Sequence, residues 1–211
     1  MRIDIVSDAI CPWCYIGKRR FEKALALSPV PGLSVGWRPF QLNPDMPREG
    51  MDRGEYLRLK FGDRAGGRMY DAVTEAGRGE GIAFDFDAIK RTPSTLDAHR
   101  LIRYADRFGR QDEIVEALFQ AYFTQGMNIG DPATLVAVAA AIGMDGAAVD
   151  AFLSSDEELE TIKAEDAFAR QIGIQGVPCF IIDRKYAISG AQSPETFVEA
   201  FQRVREEAGA A

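Results

Sequence analysis

The chain has 211 residues, of which 46% are hydrophobic and 27% are charged, a composition typical of a globular protein with a sizeable core. Its three cysteines are too few for the disulfide framework of a small secreted protein, and a net charge of −7 argues against a nucleic-acid partner. The first residues include Asp4 and Asp8, where a secretory signal needs an unbroken apolar run. The uncharged, alanine-rich stretch 132–144 is too short to cross a bilayer. We therefore expect a cytoplasmic protein that does not bind membranes.

The first elements form a strand–helix–strand unit. Ile3 and Ile5 alternate with polar residues and predict a strand over 2–6, and Pro12 is typical of the first turn of the helix that follows. Apolar residues at helical spacing predict the buried face of this helix: Phe21, Ala24, Leu25 and Leu27. A second strand follows, with its apolar residues on one face: Leu33, Val35 and Trp37. This order predicts a parallel pair with a right-handed crossover.

The middle of the chain, from Leu42 to about Arg170, has a helical pattern. Apolar spacing and separating glycines predict helices near 53–61, 68–78, 95–108, 112–125, 133–142, 147–153 and 157–171. Strand character in this part is limited to Ile82–Phe84.

Strands return near the carboxyl end. The apolar run 179–182 and the run 186–188 predict an antiparallel hairpin, and Ser193 and Pro194 begin a last helix. The order βαβ, helices, ββα predicts an α/β chain with a thioredoxin-like fold and a large all-helical insertion domain. We place the discontinuous thioredoxin-like domain at 1–42 and 165–211, and the helical insertion domain at 43–164.

The Cys11-Pro12-Trp13-Cys14 segment lies where the first strand meets the first helix. Cysteines three apart at a helix start share one face, so their sulfurs can form a disulfide. Cys11 is at the N-cap, where free N–H groups and the positive end of the helix dipole stabilise a thiolate. We expect Cys11 to be the nucleophile and Cys14 to resolve the mixed disulfide.

A C-x-x-C pair alone is also compatible with half of a zinc site. The flanking strand and helix favour redox chemistry, as does Gly176-Val177-Pro178 directly before a late strand. A cis bond before Pro178 would turn the backbone of Val177 toward an extended partner chain. Zinc held by all three cysteines and His99 has suitable ligand types, but this context disfavours it.

Four segments resemble the DsbA-like thioredoxin superfamily, and within it the cytoplasmic FrnE-like branch, which is related to hydroxychromene-carboxylate isomerases and kappa-class glutathione transferases. These segments are 8–17, 40–47, 97–101 and 176–178. The resemblance implies a dithiol–disulfide oxidoreductase whose helical domain roofs the active site. Kappa-like relatives have serine at the nucleophile position, whereas this chain has Cys11. Many FrnE-like chains have asparagine where this one has Ser94, so no role is carried over to it.

The remaining candidates each have two interpretations. Cys179 is either a small buried hydrophobic residue or a thiol that tunes or traps the site. His99, the only histidine, is either a packing residue or, by the resemblance, a polar group above Cys11. Asp8 either accepts a proton through water when Cys14 ionises, or caps the loop or faces solvent. Trp13 is expected to be exposed, to contact substrate and to adjust the reduction potential.

The sequence therefore predicts a thiol–disulfide oxidoreductase in which Pro12, Trp13, Val177 and Pro178 contact substrate. It needs no bound cofactor or metal and exchanges electrons with a thiol pool such as glutathione. Its partner is a protein or small molecule with a thiol or disulfide, and the chain is a monomer or a homodimer. Two alternatives stay open: a glutathione-dependent isomerase or transferase acting on small molecules, and a non-catalytic chaperone-like scaffold.

Overall fold

The fold is taken from a computed structural model that describes residues 1–62 and 70–209. A four-stranded mixed sheet consists of β1 (Arg2–Ser7), β2 (Ser34–Pro39), β5 (Cys179–Ile182) and β6 (Tyr186–Ser189). The strand order is β2-β1-β5-β6, with β2 parallel to β1 and the last two strands antiparallel to their neighbours. β1 is a central strand, and all of its residues except Arg2 are buried. The predicted βαβ…ββα order is confirmed.

Two long helices, α1 (Pro12–Leu27) and α9 (Pro194–Gly209), pack together against the sheet. Their contact is aromatic, because Phe21 of α1 meets Phe197 of α9 and Phe180 of β5. The rings of Phe180 and Phe197 lie edge to face with centroids 4.7 Å apart. Edge-to-face pairs of this kind stabilise a core by about 0.5–1.5 kcal/mol beyond the buried area. This packing holds the start of α1 against the ends of the central strands.

Two apolar residues that the pattern places on buried faces are exposed. Leu27, on the last turn of α1, is 68% exposed because the helix extends past the sheet there. Val35 is 36% exposed because β2 is an edge strand, covered less completely than β1. The predictions for these two residues are wrong, whereas Phe21, Ala24 and Trp37 are buried as expected.

In its described residues, the segment between β2 and β5 is mainly helical and contains one short pair of strands. Its helices are α2 (Arg53–Phe61), α3 (Asp71–Gly79), α4 (Leu96–Asp106), α5 (Gln111–Phe123), α6 (Pro132–Ala141), α7 (Gly146–Leu153) and α8 (Leu159–Gln171). The predicted helices agree with these to within a few residues, except that the predicted start at Arg68 lies outside the described residues. Strand character is found at β3 (Met51–Asp52) and β4 (Arg91–Thr92) and not at Ile82–Phe84, which is irregular.

The helical segment contacts the sheet layer at several places. α8 packs on both α4 and β2, and α5 packs on α1 and β2. The predicted domain boundary between residues 164 and 165 falls inside α8. The division of the chain into a thioredoxin-like domain and a helical insertion domain stays a prediction. None of the helices in the described part of the chain is both long enough and apolar enough to span a bilayer.

Candidate functional site

The turn between β1 and α1 places Cys11 at the N-terminus of the helix. The N–H of Cys11 donates to the carbonyl of Asp8 at 3.0 Å, which closes the turn, and Cys11 is the N-cap residue. The carbonyl of Cys11 accepts from the N–H groups of Cys14 and Tyr15 at 3.0 and 3.4 Å. Pro12 occupies the first helical position, where a missing N–H leaves no hydrogen bond unmade. The Cys11 thiol therefore lies at the positive end of α1.

The loop before β5 lies against Cys11, although 166 positions separate it from Cys11 in the sequence. The Cys11 thiol donates to the carbonyl oxygen of Val177 at 3.5 Å, and the Val177–Pro178 peptide bond is cis. Gly17 allows this approach, because a Cβ atom there would lie 2.9 Å from Cγ of Pro178. On the other side the N–H of Gly190 donates to the carbonyl of Pro178 at 2.8 Å. The structure thus brings Cys11, Val177 and Pro178 together.

Cys14 lies deeper in the site and is only 1% exposed. Burial raises the pKa of its thiol well above the usual value, and the neighbouring Cys11 raises it further. The side chain of Ser7 and the backbone of Asp8 act in the opposite direction, because their hydrogen bonds stabilise the thiolate. The three cysteines are free thiols in this structure. Ser7 is a contact that the sequence reasoning missed; its only signal is a polar residue at the carboxyl end of a buried strand.

Asp8, three residues before Cys11, is fully buried, so the interpretation in which it faces solvent is wrong. Its Oδ2 atom accepts from the N–H of Leu42 at 2.6 Å, and its Oδ1 atom accepts from the N–H of Ile10 at 3.5 Å. These bonds satisfy the carboxyl group inside the protein. They also tie the loop after β2 to the turn before α1.

His99 comes from α4 and is buried directly behind Asp8. Its Nε2 atom lies 3.5 Å from Oδ1 of Asp8 and has no hydrogen-bond partner in the part of the chain that the structure describes. His99 therefore lies where α4 meets the turn before α1.

Trp13 and Cys179 differ sharply in their surroundings. Trp13, between the two cysteines, is 40% exposed, as expected of a residue on a contact surface. Cys179 is buried opposite Val6 and packs with Phe40 and Ala169, in a cluster separate from that of Cys11 and Cys14. Burial raises the pKa of its thiol. These neighbours favour the interpretation of Cys179 as a small buried hydrophobic residue. Its role at the site stays a prediction.

A charged cluster beside the site joins α1 to α5. The Lys18 ammonium is buried and lies 3.1 Å from Asp112 and 3.3 Å from Glu116, and it also contacts Glu22. Burial of this amine favours its neutral form, but the surrounding carboxylates outweigh that effect and raise the pKa of Lys18. Tyr15 donates to Glu116 at 2.8 Å in the same cluster. Sequence reasoning missed Lys18, because a lysine is normally exposed and nothing in its spacing indicates otherwise.

The residues that the structure describes contain no group of three or more histidine, cysteine, aspartate or glutamate side chains placed to hold a metal ion. The zinc arrangement of the three cysteines with His99 is therefore not found in this part of the chain. Instead, Cys11 contacts the Val177 carbonyl, Cys179 packs among apolar residues and His99 faces Asp8.

Comparisons with known proteins agree with this geometry. The model of the DSBA-like thioredoxin domain matches residues 2–202. The uncharacterized protein YwbO of Bacillus subtilis (strain 168) is 28% identical over 203 residues, covering 95% of each chain. The crystal structure of a probable DsbA oxidoreductase from Streptomyces coelicolor is 34% identical, covers 98% of this chain and 91% of that chain, and superimposes with a TM-score of 0.87.

A 2-hydroxychromene-2-carboxylate isomerase is similar in fold. It has a TM-score of 0.72 and covers the full length of both chains, at 17% sequence identity. This likeness confirms the expected relation in fold, and at such low identity it carries no information about activity.

Proposed function

Because the chain belongs to the DSBA-like thioredoxin domain family, we propose that it is a thiol–disulfide oxidoreductase that works through Cys11 and Cys14. The observation that carries the proposal is the position of the Cys11 thiol. Cys11 is the N-cap residue of α1, its thiol neighbours the buried Cys14 thiol, and this thiol lies 3.5 Å from the carbonyl oxygen of Val177. A helix N-terminus favours the thiolate, which is the form that attacks disulfides.

The reaction proceeds in two exchanges. The Cys11 thiolate attacks one sulfur of a substrate disulfide, which forms a mixed disulfide and releases the other substrate sulfur as a thiolate. Cys14 then loses its proton and attacks Cys11. The bond between Cys11 and the substrate breaks, the substrate leaves as a dithiol after protonation, and Cys11 and Cys14 become a disulfide. Two electrons pass to the substrate, and the reverse sequence oxidises a dithiol.

Asp8 is the proton acceptor that we assign to the resolving step. Its carboxyl group is fully buried, and its backbone interacts with the Cys14 sulfur. Burial and the contact with Cys11 hold Cys14 in the thiol form, which prevents a second free thiolate from reacting in its place. A nearby carboxylate is needed to remove that proton once the mixed disulfide has formed.

The contact surface for substrate lies around the Cys11 thiol. Pro12 and Trp13 border it on the helix side, and Val177 and Pro178 border it on the opposite side. Val177 is half-buried, so an extended substrate chain can pair with its backbone. The aromatic ring of Trp13 offers a large apolar contact next to the reacting sulfur.

Electrons are exchanged with a thiol pool, with glutathione as the test thiol, and no bound cofactor or metal enters the two exchanges. A cytoplasmic location fits this proposal, since the pool of small thiols there is reducing. The direction of the reaction depends on the reduction potential of the pair.

Insulin reduction tests the proposal with three single variants. Cys11→Ser is expected to abolish the reduction, and Cys14→Ser to stop at a mixed disulfide. Cys179→Ala is the matched control and is expected to keep the wild-type rate, because that thiol packs with Val6, Phe40 and Ala169. Wild-type activity in Cys11→Ser would remove the redox assignment. A wild-type protein that neither reduces insulin nor forms a mixed disulfide would instead favour the scaffold alternative.

A further inference from the structure

His99 and Asp8 form a buried pair that the two exchanges alone do not explain. Both side chains are buried, and the Nε2 atom of His99 lies 3.5 Å from Oδ1 of Asp8. Nε2 has no hydrogen-bond partner among the described residues. A buried polar atom without a partner is costly, so its position next to a buried carboxyl group calls for a reason. We find this reason in a cavity that the His99 side chain lines.

A small cavity borders His99, and none of Cys11, Trp13 and Val177 lines it. Its volume is about 20 Å³, which is room for one water molecule. Its inner wall includes Ser7, Ala9 and His99. The residues at its other end are charged: Arg38, Arg103, Asp106 and Glu165. The side chains of Arg38, Arg103 and Glu165 are about one third exposed. His99 therefore separates the buried Asp8 from a water-sized space that borders solvent-exposed charges.

The resolving step needs a route by which the proton of the Cys14 thiol can reach solvent. Cys14 and Asp8 are buried, and in the mixed disulfide the substrate covers the surface at Cys11 and Val177. A proton taken from Cys14 cannot then leave through the substrate surface. The cavity that His99 lines includes none of the residues at the substrate surface, so the substrate leaves it open.

We propose that His99 is a positioning residue that passes the proton of the Cys14 thiol from Asp8 to this cavity. The inference rests on the proposed function. The proton moves from Cys14 to the Asp8 carboxylate, then to the imidazole of His99, and then to water in the cavity. The Cys14 thiolate attacks Cys11, the mixed disulfide breaks, and the departing substrate thiolate takes up a proton from solvent. The resting Asp8 and His99 are restored, so protons and electrons balance.

The groups that face His99 come from several elements. Asp8 approaches from the turn after β1, Arg38 from β2 and Glu165 from α8, while Arg103 and Asp106 lie on the same helix as His99. The residues of α5 at this cavity carry no titratable group. Arg103 pairs with Glu165 at 2.7 Å, so the charges at the outer end largely balance each other.

A rapid-quench experiment separates the two exchanges. The reduced protein is mixed with glutathione disulfide, quenched by acid and alkylated. Intact mass then gives the amounts of dithiol, mixed disulfide and internal disulfide over time, between about pH 5 and pH 9, which spans the titration of imidazole. The variants are His99→Gln, Asp8→Asn and their combination. Val149→Ala, a buried truncation in α7, is the control for general loss of packing.

In the wild type the rate of the second exchange is expected to depend on pH in a way that His99→Gln changes, whereas the pH dependence of the first exchange is expected to be the same in both proteins. His99→Gln is expected to slow the second exchange about tenfold or more, to remove that pH dependence, and to leave the first exchange unchanged. The double variant is expected to be no slower than the slower single variant, since both residues act in one route.

Three results would overturn the relay. They are a second exchange in His99→Gln at the wild-type rate, equal slowing in Val149→Ala, and a second exchange in the wild type whose rate does not change with pH. The third result is measured on the wild type, so it does not depend on whether a variant folds. The proposed function is judged separately with Cys14→Ser: if this variant forms no mixed disulfide, the function and the relay both fall. If it does form one while His99→Gln resolves normally, the relay alone is wrong.

Discussion

Gly17 is the position at which a single added carbon acts most directly on the site. A Cβ atom there would lie 2.9 Å from Cγ of Pro178, 3.4 Å from Cζ of Phe180 and 3.6 Å from Cβ of Ala191. Carbon atoms pack comfortably at about 3.5–4.0 Å, so Gly17→Ala requires the loop at Pro178 to move by roughly half an ångström or more. Because Val177 precedes Pro178, that movement also widens the 3.5 Å contact between the Cys11 thiol and the Val177 carbonyl.

Two opposing energies set the magnitude. Alanine is favoured over glycine inside a helix by about 0.8–1 kcal/mol, whereas overpacking of a core costs roughly 1–3 kcal/mol. We expect Gly17→Ala to lower the free energy of unfolding by about 1 kcal/mol, and to slow the reaction of Cys11 with glutathione disulfide.

Urea unfolding and the rate of the first exchange measure these two effects. Gly79→Ala is the matched control, because that helical glycine has no atom within 4 Å of an added Cβ and its substitution is expected to keep the wild-type rate. A Gly17→Ala protein more stable than the wild type, with an unchanged exchange rate, would refute the reasoning.

Three further predictions concern other contacts. Trp13→Ala is expected to raise KM for a protein disulfide and to leave the rate with glutathione disulfide nearly unchanged, because the exposed ring contacts a chain larger than glutathione; equal losses with both substrates would contradict this. Lys18→Met is expected to lower the free energy of unfolding by about 1–3 kcal/mol at pH 7 in urea, because Asp112 and Glu116 lose their cation. The pKa of Glu80 is lowered by Lys23 and Arg20 against the effect of burial, so its pairing stabilises the fold above the unfolded pKa and is lost as the pH falls. Glu80→Gln should therefore cost about 0.5–1 kcal/mol at pH 7, and progressively less as the pH falls below the unfolded pKa, in urea unfolding.

Features that depend on neighbours in the sequence were predicted well. Cys11 at the start of a helix follows from the strand before it and from Pro12 after it, and both are local signals. The helices of the inserted segment follow from apolar spacing in the same way. The approach of Pro178 to Cys11 followed from the order of elements and from the resemblance, since no local signal joins residues so far apart.

Features that depend on tertiary partners were not predicted. Asp8 is fully buried because the loop after β2 folds over it and donates the N–H of Leu42, and nothing near Asp8 in the sequence indicates this. Lys18 is buried because α5 brings Asp112 and Glu116 to it. Val35 is exposed because its strand is at the edge of the sheet, which periodicity does not reveal.

The central claim is that the Cys11 sulfur is the atom that exchanges with substrate. Incubating Cys14→Ser with glutathione disulfide, followed by digestion and mass spectrometry of the peptides, tests it most directly. The account predicts one stable glutathione adduct, located on Cys11, with Cys179 unmodified. An adduct on Cys179 instead, or an unmodified Cys11 in the folded protein, would contradict it.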